Sequence, residues 1–93
     1  MKTLDFILGE KKAVEVEISS NDRSNTTFII ISAEYTLMLG KEEQLAGNAT
    51  IDNTQKRVMF YLQPTKVGKQ DLKITYVIGE EIYIDRLVVD VTW

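Results

Sequence analysis

The chain has 93 residues, of which 11 are basic and 14 acidic, so its formal net charge is −3. It contains neither cysteine nor histidine, which excludes disulfides, thiolate nucleophiles, zinc sites built on those residues and histidine-based acid–base catalysis. The length suits one domain, and we expect residues 1–93 to form it. The acidic balance argues against nucleic acid as a partner, because proteins that bind it carry a basic surface.

Alternation of apolar and polar residues dominates the first part of the chain. A short apolar run over residues 4–8 is followed by a polar turn. Val14, Val16 and Ile18 then alternate with charged or small residues, as expected for a half-buried strand. The polar residues 19–25 predict a loop, because Ser, Asn and Asp favour turns.

Residues 28–39 are long for one straight strand, and their apolar phase changes near Ser32–Ala33. This change predicts a bend, a bulge or a strand that moves between sheets. A helix over residues 33–46 is the alternative, since Leu, Met, Glu, Lys and Ala are abundant there. Gly40 and the β-prone Tyr35-Thr36 favour the strand interpretation.

The second half of the chain continues the two-residue period. Val58, Phe60 and Leu62 share one phase, and alternate residues from Leu72 to Ile78 share another. Gly79-Glu80 is typical of a hairpin turn.

Residues 82–93 contain a second change of phase. Ile82 and Ile84 stand in one phase, whereas Leu87 and Val89 stand in the other. Because these residues cannot share a face of a regular strand, we expect a bulge or a crossing between sheets at Asp85–Arg86.

The pattern gives about seven to eight short strands. Strands of this length with turns every 8–12 residues are typical of a sandwich or barrel. We therefore predict an all-β fold, an immunoglobulin-like antiparallel β-sandwich. A small open barrel is the alternative.

The polar residues that could carry chemistry have simpler explanations. Glu15 and Glu17 lie on the polar side of an alternating strand, where carboxylates are solvated. Calcium could be bound by loop oxygens of Asn21, Asp22, Asp52 and Asn53, but their spacing matches no known calcium loop and fits turn formation. We expect no catalytic residue, no metal site and no cofactor.

Three apolar side chains are candidates for a protein contact: Met59, Tyr61 and Trp93. The strands that contain them, 57–62 and 82–93, carry more apolar residues than one sheet face can bury. Trp, Tyr and Met are enriched in contact surfaces. We therefore expect self-association or a protein partner through one of these strands.

The order of strands resembles a known group of domains. The residues that carry the resemblance are Val14-Glu15-Val16, 28–37, 47–52, 58–64, 68–76 and 86–91. They are similar to small immunoglobulin-like domains of bacteriophages and prophages of Gram-positive bacteria, including the N-terminal domains of upper baseplate proteins. The resemblance implies a non-enzymatic structural or assembly component of the particle, in its tail, baseplate, neck or head. Its partners would be copies of itself or other phage structural proteins.

A carbohydrate-binding or other ligand-binding module is the alternative function. A sugar binder should present at least two aromatic rings on one exposed surface, which distinguishes the two hypotheses. No apolar stretch has the length of a signal peptide or a membrane span. The expected location is therefore the host bacterial cytoplasm during assembly and the virion afterwards, with no membrane partner.

Overall fold

The computed structural model describes residues 2–18 and 29–93. In these ranges the chain forms strands and turns without a helix. The strands are β1 (Thr3–Ile7), β2 (Lys12–Glu17), β3 (Ile30–Leu39), β4 (Glu42–Asn48), β5 (Thr50–Asp52), β6 (Arg57–Leu62), β7 (Gly68–Ile78) and β8 (Glu81–Thr92).

The strands form two sheets. The large sheet has the order β1-β8-β7-β3-β4, and the small sheet has the order β2-β6-β5. This arrangement confirms the predicted all-β sandwich of about eight strands, with the strand order of an immunoglobulin-like domain. One detail differs from a purely antiparallel fold: β1 runs parallel to β8, from the pair Thr3–Val88 to the pair Ile7–Thr92. The large sheet is therefore mixed.

The core lies between the inner faces of the sheets. Its buried side chains come from alternate positions, as the two-residue period predicts; they include Val14, Val58, Phe60, Leu62, Leu72, Ile74, Tyr76, Ile78, Val89 and Val91. The rings of Tyr35 on β3 and Phe60 on β6 stack with their centroids 4.1 Å apart, which joins the two sheets.

Two hairpins follow the predicted turns. The β7–β8 turn has Gly79 and Glu80 between the paired residues Ile78 and Glu81. Gly79 has φ of 61°, a conformation that glycine adopts without a steric penalty. The predicted Gly79-Glu80 hairpin is confirmed. The helical alternative for residues 33–46 is wrong, because this segment forms the β3–β4 hairpin.

The bulge predicted near Ser32–Ala33 is confirmed slightly earlier in the chain. The register between β3 and β7 shifts between Ile30 and Ser32, so Ile31 is an extra residue. The side chain of Asn53 holds this position. Its Oδ1 accepts a hydrogen bond from the Ile30 N–H at 2.8 Å, and its Nδ2 donates to the Ile30 carbonyl at 3.2 Å.

The bulge or crossing predicted at Asp85–Arg86 is wrong. β7 and β8 pair without a shift from Gly68–Val91 to Ile78–Glu81. The inward-facing phase of β8 contains Leu87, Val89 and Val91 and continues through Tyr83. Ile82 and Ile84 therefore belong to the outer face of the same regular strand, where they are exposed.

Candidate interaction surfaces

Two of the predicted contact residues share the outer face of the small sheet. Met59 is half-buried, and Tyr61 is 59% exposed. Register places Glu15 opposite Met59 and Ala13 opposite Tyr61. The Nζ of Lys11 lies 5.7 Å from the centroid of the Tyr61 ring. This face combines two adjacent apolar side chains with charged neighbours.

The third predicted contact residue lies elsewhere. Trp93 follows the last residue of β8 in the large sheet and is 86% exposed. Near it, the backbone N–H of Leu8 donates to the carbonyl of Thr92 at 2.7 Å. The structure thus places Met59 and Tyr61 together on one sheet and Trp93 at the end of the other.

A second apolar surface involves residues 82–93, one of the two strands predicted to make a contact, through side chains that the sequence interpretation did not name. Val77, Ile82 and Ile84 lie on the outer face of the large sheet, and we call them, with Ile31, the isoleucine patch. Val77 of β7 pairs directly with Ile82 of β8. On its other side, Val77 pairs with Ser32 of β3, and Ile31 is the extra residue of the bulge just before Ser32. Ile82 is 69% exposed and Ile84 is 49% exposed.

The isoleucine patch adjoins an edge of the large sheet. β1 covers β8 from Val88 to Thr92, where the Val88 N–H donates to the Lys2 carbonyl at 3.0 Å. Along residues 81–87, β7 is the only strand paired with β8 in the described part of the chain. We call residues 81–87 the open segment of β8.

The direction of the backbone groups in the open segment follows from the bonds to β1. The Val88 N–H and the Thr92 carbonyl both point toward β1. In a strand, alternate residues direct their main-chain groups to the same side. The N–H and carbonyl groups of Ile82, Ile84 and Arg86 therefore point away from β7, along the open edge.

The alternation that produces the isoleucine patch was visible in the sequence. Ile82 and Ile84 stand two residues apart, in the phase opposite to Val89 and Val91. The sequence interpretation explained the change of phase by a bulge, because Ile82 and Ile84 cannot share a face with Leu87 and Val89 on a regular strand. Exposed apolar residues in a regular strand are the simpler arrangement.

A shallow groove runs between the two sheets at the β1–β2 side. Leu4, Val14, Val16 and Leu87 contribute apolar walls, and Glu15 lies at its rim. The carboxylate of Glu15 forms an exposed ion pair with Arg57 at 3.3 Å. The lining also contains charged side chains of both signs, among them Lys2, Lys12 and Glu17, so the groove is amphipathic.

Two of the loop residues considered for calcium binding, Asp52 and Asn53, have structural partners. The Oδ1 of Asp52 accepts hydrogen bonds from the backbone N–H groups of Thr54 and Gln55, which confirms its predicted role in a turn. Asn53 binds Ile30, as described above. Asn21 and Asp22 lie outside the described residues. Within 2–18 and 29–93, no cluster of three acidic side chains could hold a metal ion.

In the described part of the chain, Glu10 has a clearly lowered pKa. The backbone N–H of Ile7 donates to the Oε1 of Glu10 at 2.6 Å, and this hydrogen bond lowers the pKa of Glu10. The nearby Lys12 ammonium, 3.6 Å away, lowers the pKa further. Glu10 lies in the solvated β1–β2 turn, so its bonds stabilise the end of β1.

Comparison with known proteins places the chain by fold. No protein-family description matches the sequence, and no curated protein matches it significantly. A solved structure described as a putative glycoside hydrolase from Bacteroides vulgatus is similar, with a TM-score of 0.58 and 13% sequence identity. The match covers 96% of this chain and 16% of that one. At this identity the likeness establishes the β-sandwich fold alone. No helix in residues 2–18 or 29–93 is long and apolar enough to cross a membrane.

Proposed function

We propose that this protein is a non-enzymatic structural or assembly component of a phage or prophage particle, and that it acts by protein–protein contact. The observation that carries the proposal is the exposure of large apolar side chains on an otherwise well-packed sandwich: Tyr61, Ile82, Ile84 and Trp93. The resemblance to phage immunoglobulin-like domains supplies the biological setting. The fold is the one which that resemblance implies.

The proposed mechanism is the removal of these side chains from water on contact. Burial contributes roughly 25 cal/mol per Å² of apolar surface, so a few large side chains dominate the affinity of a contact. Tyr61 offers an aromatic ring with a hydroxyl group, and Met59 beside it offers an adaptable apolar side chain. The charged neighbours Glu15 and Lys11 form a polar rim around them.

The same proposal gives the location and the partners. The protein is made in the host bacterial cytoplasm and joins the virion during assembly. Its partners are further copies of the chain or other structural proteins of the particle, with no role for nucleic acid, membrane or cofactor.

Particle incorporation tests this proposal. Particles are induced from the strain that encodes the chain, purified on a density gradient and analysed by quantitative mass spectrometry. We expect the chain in the particle fraction in a fixed ratio to a capsid protein. Expression of the chain with none in the particle fraction would contradict the proposal.

Variants of the small sheet locate the contact. In Met59→Glu/Tyr61→Glu, the new carboxylates replace apolar contact area, so we expect incorporation to fall at least about tenfold. Thr3→Glu/Thr65→Glu is the matched control, because it adds the same two carboxylates at exposed positions outside this face. Equal loss in the control would indicate a general effect of charge.

A carbohydrate-binding module is the second candidate. It is suggested by the likeness to part of a chain described as a glycoside hydrolase. The two strongly exposed rings in the described residues, Tyr61 and Trp93, lie on different sheets. Affinity electrophoresis in gels that contain soluble polysaccharides tests this candidate. Retardation that is lost in Trp93→Ala or Tyr61→Ala would favour it over the assembly function.

A further inference from the structure

We propose that two copies of this chain pair through the open segment of β8, antiparallel to each other, about a two-fold axis at Ile84. The large sheets of the two copies would then join into one continuous sheet. This interface is separate from the Met59–Tyr61 face. The proposal goes beyond the assembly function, since it names a second copy as partner and does not require a particle.

The backbone of the open segment is suited to such pairing. The N–H and carbonyl groups of Ile82, Ile84 and Arg86 point along the open edge, as shown by the bonds of Val88 and Thr92 on the same strand. With the axis at Ile84, this residue faces its own copy, and Ile82 faces Arg86 of the second copy. Each of these pairs exchanges two N–H···O bonds, which gives about six in total.

The side chains of the same residues make the pairing favourable on the outer face. Ile84 would contact Ile84 of the second copy, because directly opposed residues in antiparallel strands lie side by side. Ile82 and Val77 continue the isoleucine patch on both sides of the axis. Pairing thus covers an exposed apolar surface and an open sheet edge in one step, and both features favour association.

Charge indicates that the partner is a second copy. One end of the open segment is acidic, with Glu80 in the hairpin turn, and the other end is basic, with Arg86 and with Lys2 bound at Val88. Antiparallel self-pairing brings Glu80 of each copy diagonally beside Arg86 of the other copy. It also brings Glu80 next to Lys2 of that other copy. Opposite charges therefore meet at both ends of the interface.

Sedimentation of the full chain tests the pairing. We expect a concentration-dependent monomer–dimer equilibrium in the micromolar to millimolar range. Ile84→Lys places two ammonium groups opposite each other at the axis, so the dissociation constant should rise at least about tenfold. Ile7→Lys is the matched control, since Ile7 is a similarly exposed isoleucine on β1, outside the open segment, and it should leave the equilibrium unchanged. Circular dichroism verifies that each variant keeps its fold.

A charge exchange between two variants is the sharper test. Arg86→Glu alone opposes glutamate to glutamate, and Glu80→Arg alone opposes arginine to arginine, so each variant should dimerise about tenfold more weakly. In an equal mixture, both ends of the mixed dimer again combine opposite charges. We expect the mixture to associate as strongly as the unchanged protein.

Three outcomes would overturn the proposal. These are a strict monomer at millimolar concentration, a dimer that Ile84→Lys leaves intact, and a mixture of the charge variants that associates no better than either alone. The particle assay separates this proposal from the proposed function. A monomer that is still incorporated refutes only the β8 pairing, whereas a dimer absent from particles refutes only the particle role.

Discussion

The two halves of β8 have the same backbone pairing with β7 and opposite surroundings. From Val88 to Thr92 the strand is also paired with β1, and the outward side chain of Val88 is half-buried. In the open segment, Ile82 and Ile84 are 69% and 49% exposed. The register with β7 is continuous through both halves. The burial of a residue in this strand therefore depends on the face it occupies and on what packs against that part of the strand. Both halves have residues that favour a β-strand, so propensity does not explain the difference.

The largest effect is expected from removing the side chain that packs the small sheet over the large one. Phe60 is buried and stacks on Tyr35. Phe60→Ala should lower the free energy of unfolding by about 3–5 kcal/mol, because it leaves a cavity between the sheets. Denaturant unfolding measures this change. A loss below about 1 kcal/mol would mean that Phe60 does not belong to the packed core.

A pair of truncations in β8 compares a residue on the inner face with a residue on the outer face. Val89→Ala removes fully buried methyl groups and should cost about 2 kcal/mol in the free energy of unfolding. Ile84→Ala removes partly exposed methyl groups and should cost less than about 0.5 kcal/mol in dilute protein. Denaturant unfolding of both variants at low concentration provides the measurement. Equal losses would show that Ile84 is as well buried as Val89 and does not lie on an exposed outer face.

The end of the large sheet beside the isoleucine patch depends on Asn53. Its amide forms two hydrogen bonds with the backbone of Ile30, which pairs with Ile78 next to the β7–β8 turn. Asn53→Ala leaves the N–H and carbonyl of Ile30 without these partners and should cost about 1–2 kcal/mol. Thermal unfolding measures the loss. Asn53→Asp keeps the acceptor and loses the donor, so its stability should lie between that of the unchanged protein and that of Asn53→Ala.

The smallest effect concerns Glu10, which holds the end of β1 where β1 covers β8. Its pKa is lowered in the folded protein, chiefly by the hydrogen bond from the Ile7 N–H. The unfolded chain therefore binds the proton more readily, and folding gains stability above the unfolded pKa of about 4.3. This gain is lost as the pH falls through the folded pKa. NMR titration of the Glu10 carboxyl should give a pKa below the ordinary value. In Glu10→Gln, the free energy of unfolding should decrease slightly less as the pH is lowered into the acid range. A titration at or above the ordinary value would contradict the Ile7 hydrogen bond.

Much of the fold could be predicted because local patterns determine it. Alternation located the inward residues of β2, β6 and β7, and Gly79-Glu80 located the hairpin. The bulge at Ile30–Ser32 could be predicted from the change of phase, because Ile30 before the bulge and Ala33 after it are both buried although they stand in opposite phases of the sequence. The parallel pairing of β1 with β8 could not be predicted, since no local signal specifies which distant strand an edge strand joins.

The candidate surfaces were less accessible to sequence reasoning. Met59 and Tyr61 were placed correctly on one outer face by their phase, but Trp93 lies on the other sheet. The same change of phase that indicated a true bulge at Ile30 led to a false one at Asp85–Arg86. In β8 the second phase simply points outward, and sequence alone cannot distinguish an apolar residue that is buried by a bend from one that is exposed.

Amide hydrogen exchange shows directly which residues of β8 are covered on their outer edge. One half of the strand is covered by β1, and the other half is open until a second copy pairs with it. In dilute protein, we predict slow exchange for Val88, whose N–H is bound to Lys2, and fast exchange for Ile82, Ile84 and Arg86. At high concentration these three amides should become protected together. Slow exchange of Ile82, Ile84 and Arg86 at every concentration would contradict the account, because the edge would then be covered within a single chain.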